Sequence, residues 1–242
     1  MPDPRLALVR ICSENGIVLD RNQESLLHQY VVLLGEWNAK INLISRKDEQ
    51  NIWFSHILHS IVPMFFIQIA PGARVLDLGS GGGLPGVPMA IVRHDLHITL
   101  VDSIRKKTTA LQDMVKRLSL SNVDVICARA EELGREQQYG KKFDIVIARA
   151  VAPLVELIRW SRPLLSTGKE RSATRGTAGY GGQGKQRFSF PFLVALKGGD
   201  LEKEISRARI QTGAQKIATV NLLFKGSDEL GLEDKKMIIV EF

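Results

Sequence analysis

One stretch, Arg74–Pro88 (RVLDLGSGGGLPGVP), does most to restrict what this chain can fold into. Val75, Leu76 and Leu78 supply the apolar, partly β-branched run of a strand buried on both faces, and the pattern predicts such a strand over Ala73–Gly79. Five glycines follow within eight residues: Gly79, Gly81, Gly82, Gly83 and Gly86. VPMAIV then reads as a helix, with Pro88 in a first turn where its missing N–H costs nothing. Strand, glycine loop and helix leave bare backbone beside a helix N-terminus, a place where a ligand can lie. The plainer reading is a tight turn without a ligand, which leaves the chain entropy of so many glycines uncompensated.

Two nucleotide-type ligands compete for this loop. Gly81, Gly83 and Gly86 satisfy G-x-G-x-x-G, the dinucleotide pattern that sets a helix N-terminus against a pyrophosphate. Asp77 argues the other way, since a carboxylate at the strand end repels a pyrophosphate. It suits the ammonium of S-adenosylmethionine's amino-acid end, directly or through water.

The 242 residues allow one large domain or one domain with an appendage. Residues 1–70 carry helical signals, and Pro71-Gly72 punctuates the passage into an α/β domain over 71–242. Asp20 reads as an N-cap with Gln23 as its capping-box partner. Leu26, Leu27, Tyr30, Leu33, Leu34, Trp37 and Ile41 then form one apolar stripe. A further helical stretch covers Asn51–Gln68, broken or kinked at Pro63. His56 and His59 are spaced H-x-x-H with no third ligand near them, so no metal is expected.

The formal charge of +7 is a mild sign of a polyanionic partner. Its distribution weakens the sign, because Lys169, Arg171, Arg175, Lys185 and Arg187 sit together in a glycine-rich stretch, 166–187, that predicts a long loop. No apolar run approaches the roughly 20 residues of a bilayer span, so no membrane partner is expected. The start does not read as a secretion signal. Two cysteines make neither a disulfide framework nor a zinc cage, a composition that fits a reducing cytoplasm.

Beyond the glycine loop, strands are predicted at His97–Val101, Val123–Ala128, Phe143–Ala148, Phe192–Leu196, Lys216–Leu223 and Lys236–Phe242, with helices between. Ligand sites in open α/β sheets gather at the carboxyl ends of strands. Asp102, Glu131 and Arg149 all fall there, on the same edge as the glycine loop. Asp102 stands at the distance from the loop at which a carboxylate takes ribose hydroxyls.

DLGSGGGLPGVPMAI, LVDSIRKKTTAL, ARAEEL, FDIVIARAVAPL and ALKGG together resemble the RsmG (GidB) family of bacterial 16S ribosomal RNA methyltransferases, as does WNAKINLI followed by HILHS. LPG in the loop combined with ARAVAPL is specific, whereas the glycine loop alone marks only the broad methyltransferase class. The resemblance implies a class I methyltransferase fold: a mostly parallel, roughly seven-stranded Rossmann-like sheet with helices on both faces and an N-terminal helical extension. It also implies methyl transfer from S-adenosylmethionine to N7 of one guanosine in the small-subunit RNA. The implied partner is 16S ribosomal RNA, the small subunit or its precursor.

Carried onto this sequence, the family's cofactor contacts fall on Gly79 and Leu84, on Asp102, Ser103 and Ile104, on Ala130 and Glu131, and on Arg149. The chain departs from the family at His59, where an aspartate is usual, and at the strip Lys169–Arg187, where a short turn is usual. Guanine N7 carries a lone pair and no proton, so the implied chemistry needs no general base. In keeping with that, no Asn/Asp-Pro-Pro-aromatic tetrad follows the fourth strand. Arg149 and Lys197 are then candidates for orienting the substrate.

Overall fold

The structure, a computed structural model, describes residues 3–45, 49–166, 188, 190–230 and 234–242. The glycine-rich basic stretch expected at 166–187 lies, past Ser166, outside the described residues.

Two helices open the chain, α1 (Pro4–Glu14) and α2 (Arg21–Asn38). Asp20 caps α2 in a full capping box with Gln23. The Asn38 side chain ends α2 by accepting the N–H groups of Leu43 and Ile44, which folds the following turn. The next helical stretch is built of short pieces: a 3₁₀ turn (Glu49–Asn51), a π-helical turn (Trp53–Leu58), α3 (His59–Ile61) and α4 (Pro63–Phe66). Pro63 opens α4, the one place in a helix where its ring and missing N–H are harmless.

The α/β part follows as β1 (Arg74–Leu78), α5 (Gly86–Val92), β2 (His97–Asp102), α6 (Arg105–Arg117), β3 (Val123–Cys127), α7 (Ala130–Leu133), β4 (Ile145–Arg149), α8 (Leu154–Ser161), β5 (Phe192–Gly198), α9 (Glu202–Thr212), β6 (Ile217–Asn221) and β7 (Lys235–Glu241). The seven strands make one sheet in the order β3-β2-β1-β4-β5-β7-β6. All run the same way except β7, which is antiparallel to both its neighbours. Strand order reverses between β1 and β4, and a crevice opens at such a switch point. No helix of the described residues is long and apolar enough to cross a membrane.

Side chains alternate between the faces of a strand, and the core divides accordingly into two clusters. Val75, Ile98, Leu100, Ile145, Ile147, Phe192, Val194 and Leu196 pack on one face with Leu8, Ile11, Leu27 and Leu34 of the first two helices and with α5 and α6. Leu76, Leu78, Val101, Val146, Ala148, Leu193 and Ala195 pack on the other with α8 and α9. The N-terminal helices are thus one wall of the first cluster.

Tyr30, fully buried on α2, adds a polar tie. Its hydroxyl donates to the Gly82 carbonyl at 2.8 Å, joining the helices to the glycine loop. Tyr30→Phe removes that bond while keeping the ring, and leaves the carbonyl without its buried donor. The expected loss is about 1–2 kcal/mol in urea unfolding, against about 3–5 kcal/mol for Tyr30→Ala, which also opens a cavity.

Candidate active site

A loop of glycines has few side chains of its own, so its backbone must be held by its surroundings. Ser80, buried, binds both ways across to β2. Its N–H donates to Val101 O at 2.9 Å, and Val101 N–H donates to its Oγ at 3.0 Å. Asp102, at the end of β2, accepts Gly81 N–H on Oδ2 (3.0 Å) and Ile104 N–H on Oδ1 (2.8 Å). Asp77 accepts Gly86 N–H at 2.9 Å at the start of α5. The loop is therefore suspended from β1, β2 and α2 at once.

Two of its glycines are fixed by space as well. Gly79 has φ +73°, and a Cβ there would lie 2.6 Å from Val151 Cγ2. At Gly86 a Cβ would collide with Leu100 and with Asp77 Oδ2. Neither position admits a side chain without movement of a packed neighbour.

Two clefts open on this edge of the sheet. The first, about 370 Å³, is lined by Gly79, Asp102, Ser103, Ile104, Ala130 and Glu131, together with Lys107, Val151 and Trp160. The first six were expected at the cofactor, and the fold gathers them from the ends of β1, β2 and β3. Val151 and Trp160 were not foreseen. Val151 follows the same strand-end rule that pointed to Arg149, whereas Trp160 lies on an amphipathic helix whose sequence carries no sign of a ligand.

The second cleft, about 420 Å³, is lined by Ser55, His59, Arg149, Lys197, Glu204 and Lys235. Ala150 borders both clefts, and as a non-glycine residue at φ +53° it stands in the left-handed region. Such strain persists only where the surroundings enforce it.

The other expected contacts are placed differently. Asp77 is 0% exposed and sits under the loop, with its side chain covered in this conformation. It braces α5 from below instead. Its even-numbered neighbours face α8, and alternation turns Asp77 toward α5. The Leu84 side chain, 7% exposed, belongs to the core, leaving only its backbone to meet a ligand. Gly81 touches the first cleft through its bond to Asp102. Arg149 turns from the first cleft to the second, where Nη2 donates to Ser55 O at 2.9 Å and meets His56 Nδ1 at 2.6 Å. Lys197 is tied down by Glu204 Oε1 (2.7 Å) and Ala152 O (3.0 Å).

Burial controls the charges here. It pushes the Asp77 carboxyl up to about 7, against the pull of the Gly86 N–H bond and the Arg149 charge. It drives His59 down to about 3, helped by Arg149, Lys235 and His56, so His59 is neutral at physiological pH.

A profile of the GidB family, rRNA small subunit methyltransferase G, matches residues 23–181. The Ribosomal RNA small subunit methyltransferase G of Chlorobium luteolum is 40% identical over 213 residues, 88% of this chain and 78% of that protein. That of Moorella thermoacetica is 30% identical over 225 residues, 93% and 91% of the two chains. Among solved structures, a fibrillarin/Nop5p complex matches with TM-score 0.53 at 14% identity, covering 76% of this chain and 79% of that one. Aeropyrum pernix fibrillarin with natively bound S-adenosyl-L-methionine matches with TM-score 0.50 at 17% identity, covering 76% and 73%. At such identities the structural likeness is one of fold, the class I methyltransferase fold.

Between pH 4 and 7 the folded Asp77 keeps a proton that the unfolded chain has lost, so its contribution to stability falls as pH rises through that window. Asp77→Asn removes the titration and still offers an oxygen to Gly86 N–H. The variant should therefore gain on the parent between pH 4 and 7, by roughly 4 kcal/mol at most. Urea unfolding at a series of pH values measures the gap, and a gap independent of pH would contradict the account.

Proposed function

The chain belongs to the GidB family of small-subunit rRNA methyltransferases, and from that premise we propose that it transfers the methyl group of S-adenosylmethionine to N7 of one guanosine in 16S ribosomal RNA. It is an S-adenosylmethionine-dependent enzyme. The finer reading, N7 of guanine, is what the resemblance of the motifs implies, and two adjoining clefts are compatible with it.

The observation that carries the reading is Asp102. Each of its oxygens already accepts one backbone N–H, which fixes the carboxylate and leaves further lone pairs for a pair of ribose hydroxyls. The residues of the first cleft fit the donor on three counts. Gly79 lines the cleft with backbone alone, and Val151 packs where its side chain would stand. Ile104, 47% exposed, offers an apolar surface for a flat ring. The exposed carboxylate of Glu131 stands beside Ala130 at the far side. We assign donor binding to Gly79, Asp102, Ser103, Ile104, Ala130 and Glu131, with Gly81, Leu84 and Asp77 shaping the loop from beneath. Arg149 and Lys197 stand at the neighbouring cleft, on the side of the substrate.

When bound, the donor supplies an electrophilic methyl carbon on a sulfonium. Guanine N7, with a lone pair and no proton, would need no general base from this chain to take it. The residues of the chain accordingly have only to hold the base beside the first cleft and to keep water out. Ala150, shared by both clefts, marks where the two ligands would meet. Arg149 and Lys235 give the second cleft positive charge, which suits the phosphates of an RNA. A site of action in the cytoplasm follows from such a substrate.

Transfer of labelled methyl to small subunits lacking the modification, with the product nucleotide mapped, tests the reading. Label at N7 of a single 16S guanosine is the expected result, and incorporation into another atom or none at all would contradict it. Asp102→Ala should weaken S-adenosylhomocysteine binding at least tenfold in calorimetry, since it removes both the diol acceptor and the anchor of Gly81. Asp102→Asn, which keeps one acceptor, should fall between the two. Binding of NADH in preference to S-adenosylhomocysteine would restore the dinucleotide reading of the loop.

A further inference from the structure

Chemistry at N7 does not by itself choose guanine, because adenine carries an equivalent lone pair at N7. The choice has to be made on the six-membered edge. There guanine offers a donor, N1–H, beside the acceptor O6, and adenine offers the reverse, an acceptor N1 beside a donor amino group.

The second cleft holds a group suited to that edge. Glu204 accepts Leu154 N–H at 2.6 Å and the Lys197 ammonium at 2.7 Å, both on Oε1. Its carboxylate is thus oriented through one oxygen, and Oε2 keeps its lone pairs in a residue that lines the cleft. Lys197 also binds Ala152 O, so the carboxylate is braced against the loop that carries Ala150 and Val151 beside the first cleft.

A second observation, from a different element, marks the same cleft as a place for a polar ligand. His59 lines it, is 5% exposed, and has a buried Nε2 without a hydrogen-bond partner. Packing gives no reason to bury a ring nitrogen that way. Held neutral, His59 adds no charge that would compete for Glu204.

Resting on the reading of this chain as a guanosine N7 methyltransferase, we propose that Glu204 determines the choice of base: its Oε2 accepts N1–H of the target guanine seated between the ends of β4 and β5, with Lys197 and Leu154 holding it in position. An adenine in the same place would set the lone pair of its N1 against those of the carboxylate and leave that half-buried acceptor unmatched. A site built to take a substrate N–H discriminates strongly against an analogue that lacks it.

The test uses unmethylated small subunits carrying guanosine, adenosine or inosine at the mapped nucleotide. Inosine shares N1–H and O6 with guanine and lacks only the 2-amino group. The parent enzyme should prefer guanosine to adenosine by at least about 100-fold in kcat/KM, and accept inosine within about fivefold of guanosine. Glu204→Gln keeps an oxygen for Leu154 and Lys197 and turns the other position from acceptor to donor. It should lower the guanosine-to-adenosine ratio at least about tenfold, with S-adenosylhomocysteine affinity unchanged.

Equal losses on both bases would make Glu204 a structural tie only and overturn the proposal. So would rejection of inosine by the parent as strongly as adenosine, a measurement that needs no variant to fold. Failure of the parent to methylate any of the three at N7 is a separate outcome. It removes the underlying reading, and the proposal with it.

Discussion

The β1–α5 loop closes only short turns on itself, through Ser80 O and Gly83 O, and its place at the carboxyl edge of the sheet depends on the acceptors and donors lent to it by its neighbours. Asp102 accepts from Gly81 N–H, Asp77 from Gly86 N–H, Val101 O from two N–H groups, and the Tyr30 hydroxyl donates a hydrogen bond to Gly82 O. Glycine supplies the left-handed turns and the room, and pays for them in chain entropy. Buried hydrogen bonds to two carboxylates and a phenol restore order. That is why a helix from the first 40 residues belongs to the architecture of a loop some 50 residues later.

A second constraint is the alternation of side chains along each strand. At the carboxyl ends of the strands it decides which wall a functional group meets. Odd-numbered β4 residues face the N-terminal helices, so Arg149 continues in that direction and meets Ser55 and His56. In β5, Leu193 and Ala195 face α8 and α9, so Lys197 continues toward Glu204. Two cations that stand at equivalent strand ends in sequence are thus sent to opposite sides of the sheet, and the second cleft lies across its edge between them.

Under the proposed function the two clefts would divide the work between donor and substrate. The first has a fixed carboxylate, bare backbone and an exposed isoleucine. The second gathers Arg149, Lys197 and Lys235 around one oriented glutamate and a neutral histidine. They adjoin at Ala150, held at positive φ. Transfer from one bound molecule to another needs just such a shared border, with each ligand held by its own set of groups.

Much of this was legible from sequence because it depends on local patterns. The apolar runs announced the strands, Asp20 and Gln23 the start of α2, and the strand-end rule brought Asp102, Glu131 and Arg149 to the edge of the glycine loop, though Arg149 turns to the second cleft. These signals are carried by neighbours within a few residues, so the order of the chain contains them. The sequence did not reveal that Asp77 lies beneath the loop, that Leu84 belongs to the core, or that Tyr30 reaches Gly82. Nor did it show that Lys197 is occupied by Glu204. Each of those facts is a matter of direction and burial, fixed when distant elements pack face to face. Which residues gather at the edge was determined by the order of the chain; which of them turn toward a ligand, and which are used to hold the edge together, was decided only by the packing of the sheet between its two layers of helices.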